Sequence, residues 1–411
     1  MKEKSTKSKQ KLARCYLNKC QGEKTKKLFD IADLFNPNAY QFWFLLVGII
    51  AVVIGVIYRP FSSYFKFIYP NAKYQTIGNP FLTKKELDKM LDCKNLKSFL
   101  ENLNYFKDYH IKGENARDIQ FSLDENLLET VEMMRKDSNK SIHSFFDAYL
   151  EKYDMQTIRD EIKKTLDRIL EGETFEEEEE PKIIFERNRR LIAQLREAEN
   201  MENLEKILLE YGFDEKMVKE VTSAEKVDFL AVDIMIDKYI IDCFNKIKLP
   251  YKCDKPMEAY LKTLVDISNI KNMLRAKHLG YNVDRCKKMF LDGGREVAKW
   301  LFEEIAEVDQ VPQVISSLEG TTYFKWLRDA IEDYNREDSV QPLENALERC
   351  LLKQVKDVSV KYYLTLGPLL QFLVNKEYEI RNLKIIAKGV EENIDPQTIR
   401  KYLLVLEDKG V

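Results

Sequence analysis

Three acidic residues, Asp154, Asp266 and Glu379, recur 112 and 113 residues apart with the same kinds of neighbour. Three positions after each acid stands Thr157, Asn269 or Asn382, and one further on Ile158, Ile270 or Leu383. Basic residues follow five and nine positions after it: Arg159 and Lys163, Lys271 and Arg275, Lys384 and Lys388. On a helix the acid and the Asn or Thr share one edge, and the two bases, four apart, share another. A carboxylate beside an amide can hold loop amides and carbonyls and so close a helical subdomain, or else meet a partner directly. The basic pairs read as a solvated helix face, with an acidic partner as the alternative.

Helices must carry these groups. Tyr149 and Tyr153, Leu261 and Val265, or Val374 and Tyr378 precede each acid by five and one, and Ile162, Leu274 or Ala387 lies eight after it. With the residue at the fourth position they form an apolar stripe in steps of 4, 5 and 4, the period of a helix with one buried face. The repeat divides the body into three helical modules, residues 61–180, 181–293 and 294–411, each opening with further helical sequence: 82–103, 189–212 and 297–318. The acidic run 176–180 before Pro181 reads as a solvated connector. Three copies of one helical unit predict pseudo-threefold or arc-like packing.

Composition agrees with an all-α fold. Gly (14) and Pro (11) are scarce in 411 residues, and charged residues make up 33%. With 66 Lys and Arg against 69 Asp and Glu, the net charge of −3 argues against a nucleic-acid coat. No Gly is followed by Lys, so a phosphate-cradling P-loop is absent; G-x-S-x-G, H-E-x-x-H and G-x-G-x-x-G are absent too, and Gly293-Gly294 stands alone. Three scattered histidines (His110, His143, His278) offer little for a metal site. No catalytic, cofactor-binding or metal-binding residue is assigned. Seven cysteines without a C-x-x-C pair (Cys15, Cys20, Cys93, Cys243, Cys253, Cys286, Cys350) predict a reducing compartment for the body. The C-terminal stretch from Asn393 looks like a helix-turn-helix segment led by Thr398, Arg400 and Lys401, but no wing follows it, and a terminal helix packed on the third module is the expected reading.

One segment is of another kind. Residues 42–58 run 17 positions without a charge, about 25 Å as a helix, which is enough for a short membrane span. Phe42 and Trp43 at one end and Tyr58 and Arg59 at the other suit the two interfaces, and the transmembrane helix is placed at 39–60. Three basic residues flank each end (Lys24, Lys26, Lys27; Arg59, Lys66, Lys73), so the flanks set no orientation. The Lys-rich far N-terminus would put the body outside, against the cysteine argument. Residues 1–38 read as a basic, flexible tail, with a mis-assigned start codon as the alternative.

From about Tyr69 onwards the chain resembles the C subunit of archaeal and bacterial A-type (V-type) ATP synthases, equivalent to the d subunit of the V-ATPase. The resemblance rests on EIRNLKIIAKG from Glu379, which looks like the family's E-x-x-N-L-(K/R)-x-I-x-(K/R)-G signature, on DISNIKNMLRAK from Asp266 as its second copy, and on YPNAKYQ from Tyr69. Thr157 departs from the usual Asn, and the segment before Tyr69 lies outside the family pattern. The resemblance implies a funnel of three similar helical domains on the cytoplasmic end of the membrane rotor ring. The implied function is non-catalytic: coupling the central shaft to the ion-translocating ring during ATP synthesis or hydrolysis, without a cofactor and without nucleic acid. The expected partners are the shaft subunits, the rotor ring and membrane lipid along 42–58; the expected location is the cell membrane. A membrane-tethered helical scaffold outside the rotary motor is the competing reading.

Overall fold

The computed structural model describes residues 37–38, 40–77, 82–172, 183–223 and 226–404. The basic tail before residue 37, the acidic run 176–180 with Pro181, Cys15 and Cys20 lie outside the described residues. All regular structure within them is helical, as the scarcity of breakers predicts. By its contacts the chain forms two compact units, Met1–Ser62 and Ser63–Val411.

In the first unit the described helix is the opening part of α1 (Tyr40–Ile77), which is long and apolar enough to cross a membrane. Its apolar side chains, among them Phe44, Val52 and Ile54, are exposed along its length, as no soluble core helix would leave them. The helix does not stop at Pro60. It continues through Pro60 and Pro70 to Ile77, where Phe67 and Tyr74, fully buried within the second unit, offset the missing proline donors.

The second unit repeats one pattern. Short helices α2 (Lys84–Leu91) and α3 (Leu96–Leu103) lead into long α4 (Ala116–Asp137), which turns back into α5 (His143–Glu171). Next, α6 (Glu186–Glu197), α7 (Met201–Tyr211) and α8 (Glu215–Thr222) lead into α9 (Phe229–Asn245) and α10 (Lys255–His278). The third run has α11 (Val283–Lys288), α12 (Lys299–Glu307), α13 (Val311–Ser317) and α14 (Phe324–Glu337) before α15 (Gln341–Lys361) and α16 (Gly367–Glu391), and α17 (Pro396–Tyr402) closes it. Local chemistry sets many of the starts. Thr83 and Glu86 form a capping box on α2, and Asn95, Asn115, Asn200, Asp214, Asp228, Asn282 and Asp395 cap α3, α4, α7, α8, α9, α11 and α17.

The long helices close a circuit. Hairpins join α4 to α5, α9 to α10 and α15 to α16, while α5 packs on α9, α10 on α15, and α16 on α4. The last pairing brings the early and late helices of the second unit together. The buried apolar residues of the second unit belong to one continuous core.

Candidate functional site

Each motif acid is buried and holds the entry to one of the short helices of the next group. Asp154 on α5 accepts the amides of Ile184 and Phe185 (3.0 Å each) and the Asn188 side-chain amide (2.8 Å), fixing the entry to α6. Asp266 on α10 accepts the amides of Arg295, Glu296 and Val297 (2.9–3.0 Å) and the Tyr323 hydroxyl (3.0 Å) ahead of α12. Glu379 on α16 accepts the Leu82 amide (2.7 Å) and the Tyr109 hydroxyl, and so holds the entry to α2, 297 positions earlier in the chain. Burial raises the Glu379 carboxyl above its ordinary value, although Lys376 beside it pulls the other way. The same burial lowers the Lys376 ammonium, which sits 3.8 Å from the centre of the Tyr109 ring.

The motif amides form two-way brackets. Asn269 donates to the Leu291 carbonyl and accepts its amide (2.8 Å each), and Asn382 does the same with Leu404 (3.0 and 2.9 Å). Both partners lie 22 residues after the amide. Thr157 is half-buried, and the position 22 residues after it, 179, is outside the described residues. Glycine chemistry belongs to the same sites. A Cβ on Gly294 would stand 2.1 Å from Asp266 Oδ1, which explains why one half of the isolated Gly293-Gly294 pair is glycine. A Cβ on Gly389, the last residue of the EIRNLKIIAKG motif, would meet the Ile399 side chain of α17 at 2.4 Å.

Most of the basic residues expected on solvated faces are drawn into ion pairs between helices. Arg159 reaches Asp237 (2.8 Å) and Lys163 reaches Asp233 (2.6 Å), so α5 and α9 run antiparallel with charges in register. In the next copy Lys271 meets Glu348 (2.7 Å) and Arg275 grips both oxygens of Glu344 (2.6 and 2.8 Å) across α10 and α15. In the third, Lys384 pairs with Asp124 on α4. The position four before Asp124 is Gln120, and Lys388 turns instead to Glu391 (3.0 Å) and Glu392 (2.7 Å) on its own helix, the solvated use expected of it.

The acids that receive these bases escaped the sequence reading, although they carry the repeat as well: Asp124, Asp237 and Glu348 are spaced by 113 and 111 residues. Burial alone would raise Glu348, but Lys271 and Arg381 outweigh it and leave the carboxyl below its ordinary value. Asp124 is raised by burial despite Lys384. Arg159 with Asp237 and Lys384 with Asp124 line a cavity of about 370 Å³ bounded by all six long helices. Its lining balances Lys152, Arg159, Arg381 and Lys384 against Asp124, Asp237, Glu348 and Glu377, with Tyr149 and Tyr153 between them. Lys152 grips Glu377 (2.7 and 2.8 Å) across the circuit. Such neutralised pairs hold helices in register, and no pair among them is set up as a nucleophile and its base.

At the other sequence-assigned positions, Phe42 and Trp43 stack edge to face and the Trp43 indole donates to the Pro37 carbonyl (3.0 Å), while Tyr58 and Arg59 are exposed. The C-terminal helix packs as expected: Ile399 is buried, Arg400 pairs with Asp88 on α2 (2.5 Å) and Lys401 with Glu337 on α14 (3.1 Å). Asn71 of the YPNAKYQ motif donates to the carbonyls of Tyr363 (3.0 Å) and Thr365 (2.8 Å). All five cysteines within the described residues are free thiols.

Residues 70–402 match the family described as ATP synthase (C/AC39) subunit. The C subunit of the A-type ATP synthase of Methanothermobacter thermautotrophicus is 28% identical over 362 residues, 87% of this chain and 92% of the relative. Its counterparts in the A-type ATP synthases of Methanobrevibacter smithii (29% over 361 residues; 85% and 92%) and Pyrococcus horikoshii (27% over 359 residues; 84% and 90%) are similar over much the same length. With a match this long, spanning the motif acids, amides and glycine placed above, the chain belongs to the ATP synthase (C/AC39) subunit family.

Proposed function

We propose that this chain is the non-catalytic coupling subunit of an A-type rotary ATP synthase, joining the central shaft to the membrane ion-translocating ring. One observation within the family framework carries the reading: six long helices close a circuit around a charge-balanced cavity, locked by interhelical ion pairs. A body built this way passes torque as a unit, because turning one helix pair strains every other one. The repeat residues are then structural. Asp154, Asp266, Glu379, Asn269 and Asn382 tie the short helices to the circuit, and the paired bases set the register of the long ones.

We divide the body into three helical units in a funnel-like, pseudo-threefold arrangement. Counting repeats puts them at 61–180, 181–293 and 294–411. Pairing of the long helices groups them half a repeat later, as 143–245, 255–361, and 367–402 with 84–137, and it supports the threefold character. Residues 42–58 cross the cell membrane once and anchor the protein at the ring, with the body on the cytoplasmic face. The free thiols of the body favour that side.

The test is to purify the tagged protein from its own membranes in mild detergent. Co-elution of an ATP-hydrolysing complex in fixed proportion is the expected result. Elution alone or with unrelated proteins would replace the coupler by the scaffold reading, and crosslinks from residues 42–58 only to bulk lipid or to the stator would remove the placement at the ring.

A further inference from the structure

The final turns of α1, residues 63–77, bind two of the three hairpins that join the long helices. Asn71 binds the α15–α16 hairpin through Tyr363 and Thr365, and Lys73 (2.6 Å) and Tyr74 donate to Asp137 at the α4–α5 hairpin. The third hairpin joins them where Ser144, at the start of α5, donates to the Lys248 carbonyl of the α9–α10 hairpin (3.2 Å). The three hairpins therefore share one end of the second unit.

That end combines exposed apolar and aromatic groups with uncompensated positive charge. Tyr251, Tyr363 and Leu364 are each more than half exposed. Lys140, Lys246, Lys248, Lys252 and Lys361 are also exposed, and none forms an ion pair among the described residues. Asp254 is the opposing exposed carboxylate; Asp137 is engaged by Lys73, and Glu258 by Lys255 and Lys262. Aromatic rings and lysines on flexible stems suit the boundary between headgroups and acyl chains, and lysines there meet anionic lipid.

We infer that this hairpin end seats directly on an anionic lipid surface, with Lys246, Lys248, Lys252 and Lys361 on the headgroups and Tyr251 and Tyr363 at the interface. The inference rests on the reading of residues 42–58 as a membrane span and goes beyond it by giving the body a lipid contact of its own.

Hydrogen exchange tests it on the full chain reconstituted into vesicles of phosphatidylcholine alone and of phosphatidylcholine with phosphatidylglycerol. Residues 42–58 should be protected in both. The hairpins, at 138–142, 246–254 and 362–366, should exchange several-fold more slowly in the vesicles that contain phosphatidylglycerol. The variant K246E/K248E/K252E/K361E should lose that difference while melting at the temperature of the parent, and K252E alone, on an exposed turn, should lose part of it. Equal hairpin exchange in both vesicles with 42–58 protected would overturn the lipid contact and leave the span standing. Exchange-exposed residues 42–58 would overturn the span and the inference with it, and slowing that survives the charge reversals would overturn the role of the lysines.

Discussion

The motif acids differ in what they accept, and substitution should separate them. Asp266 serves three backbone amides and one hydroxyl, and an asparagine has only one oxygen to offer them. Asp266→Asn should therefore cost about 3 kcal/mol of stability, read as a lower urea midpoint. Glu379 accepts the Leu82 amide on one oxygen and the Tyr109 hydroxyl on the other; glutamine keeps the first with its oxygen and the second if the hydroxyl turns to accept from its amide nitrogen. Because the folded state raises the Glu379 carboxyl, it holds that proton more tightly than the unfolded chain does. Its contribution is complete below the ordinary carboxylate value and is lost as pH rises through the raised one. Glu379→Gln should flatten that part of the melting-temperature profile above the ordinary value of 4.5; an unchanged slope would assign it to other groups. The acids and amides were legible in the chain because their types and spacing repeat. Their partners were not: Leu82 lies 297 residues from Glu379, and nothing local marks a leucine amide as the group to be held.

Between elements, the bases of α5, α10 and α16 fix antiparallel partners at a rotation that apolar stripes alone would leave loose. Lys271→Glu would place two carboxylates opposite each other where Lys271 now meets Glu348. Largely buried as that pair is, the change should cost about 3 kcal/mol, and adding Glu348→Lys should recover only part of it, because Arg381 also uses Glu348. A double-mutant cycle by chemical denaturation measures the coupling. The helices themselves followed from their apolar period and caps. What faces them did not, because one charge pattern serves a solvated face and a buried interface equally well; Lys388 and Lys384, four residues apart, take one role each.

Across the whole molecule, both ends of the described body share one packing. Lys384 meets Asp124, Glu391 accepts the Ala116 amide (2.7 Å), Arg400 pairs with Asp88, and α16 packs along α4. Ending the chain after residue 366 should therefore loosen 84–137 as well as remove the third motif, seen as proteolysis within α2–α4 and a helicity loss beyond that of the missing residues; intact, protease-resistant α2–α4 would show that the ends fold separately. Closing a contact over some 300 residues adds only a few kcal/mol of loop entropy beyond short closures, which Glu379 and the α4–α16 interface can offset. The chain by itself determined the helical class, the threefold repeat, the apolar run and the residues of its motifs, since each is set by composition or by spacing within a few turns. Only the tertiary structure decided that each motif serves the following group of short helices, that the last one returns to the first, and that all of the paired bases but Lys388 reach across to another helix. Those outcomes depend on which surfaces meet across the circuit, a choice governed by packing and desolvation between segments far apart in sequence.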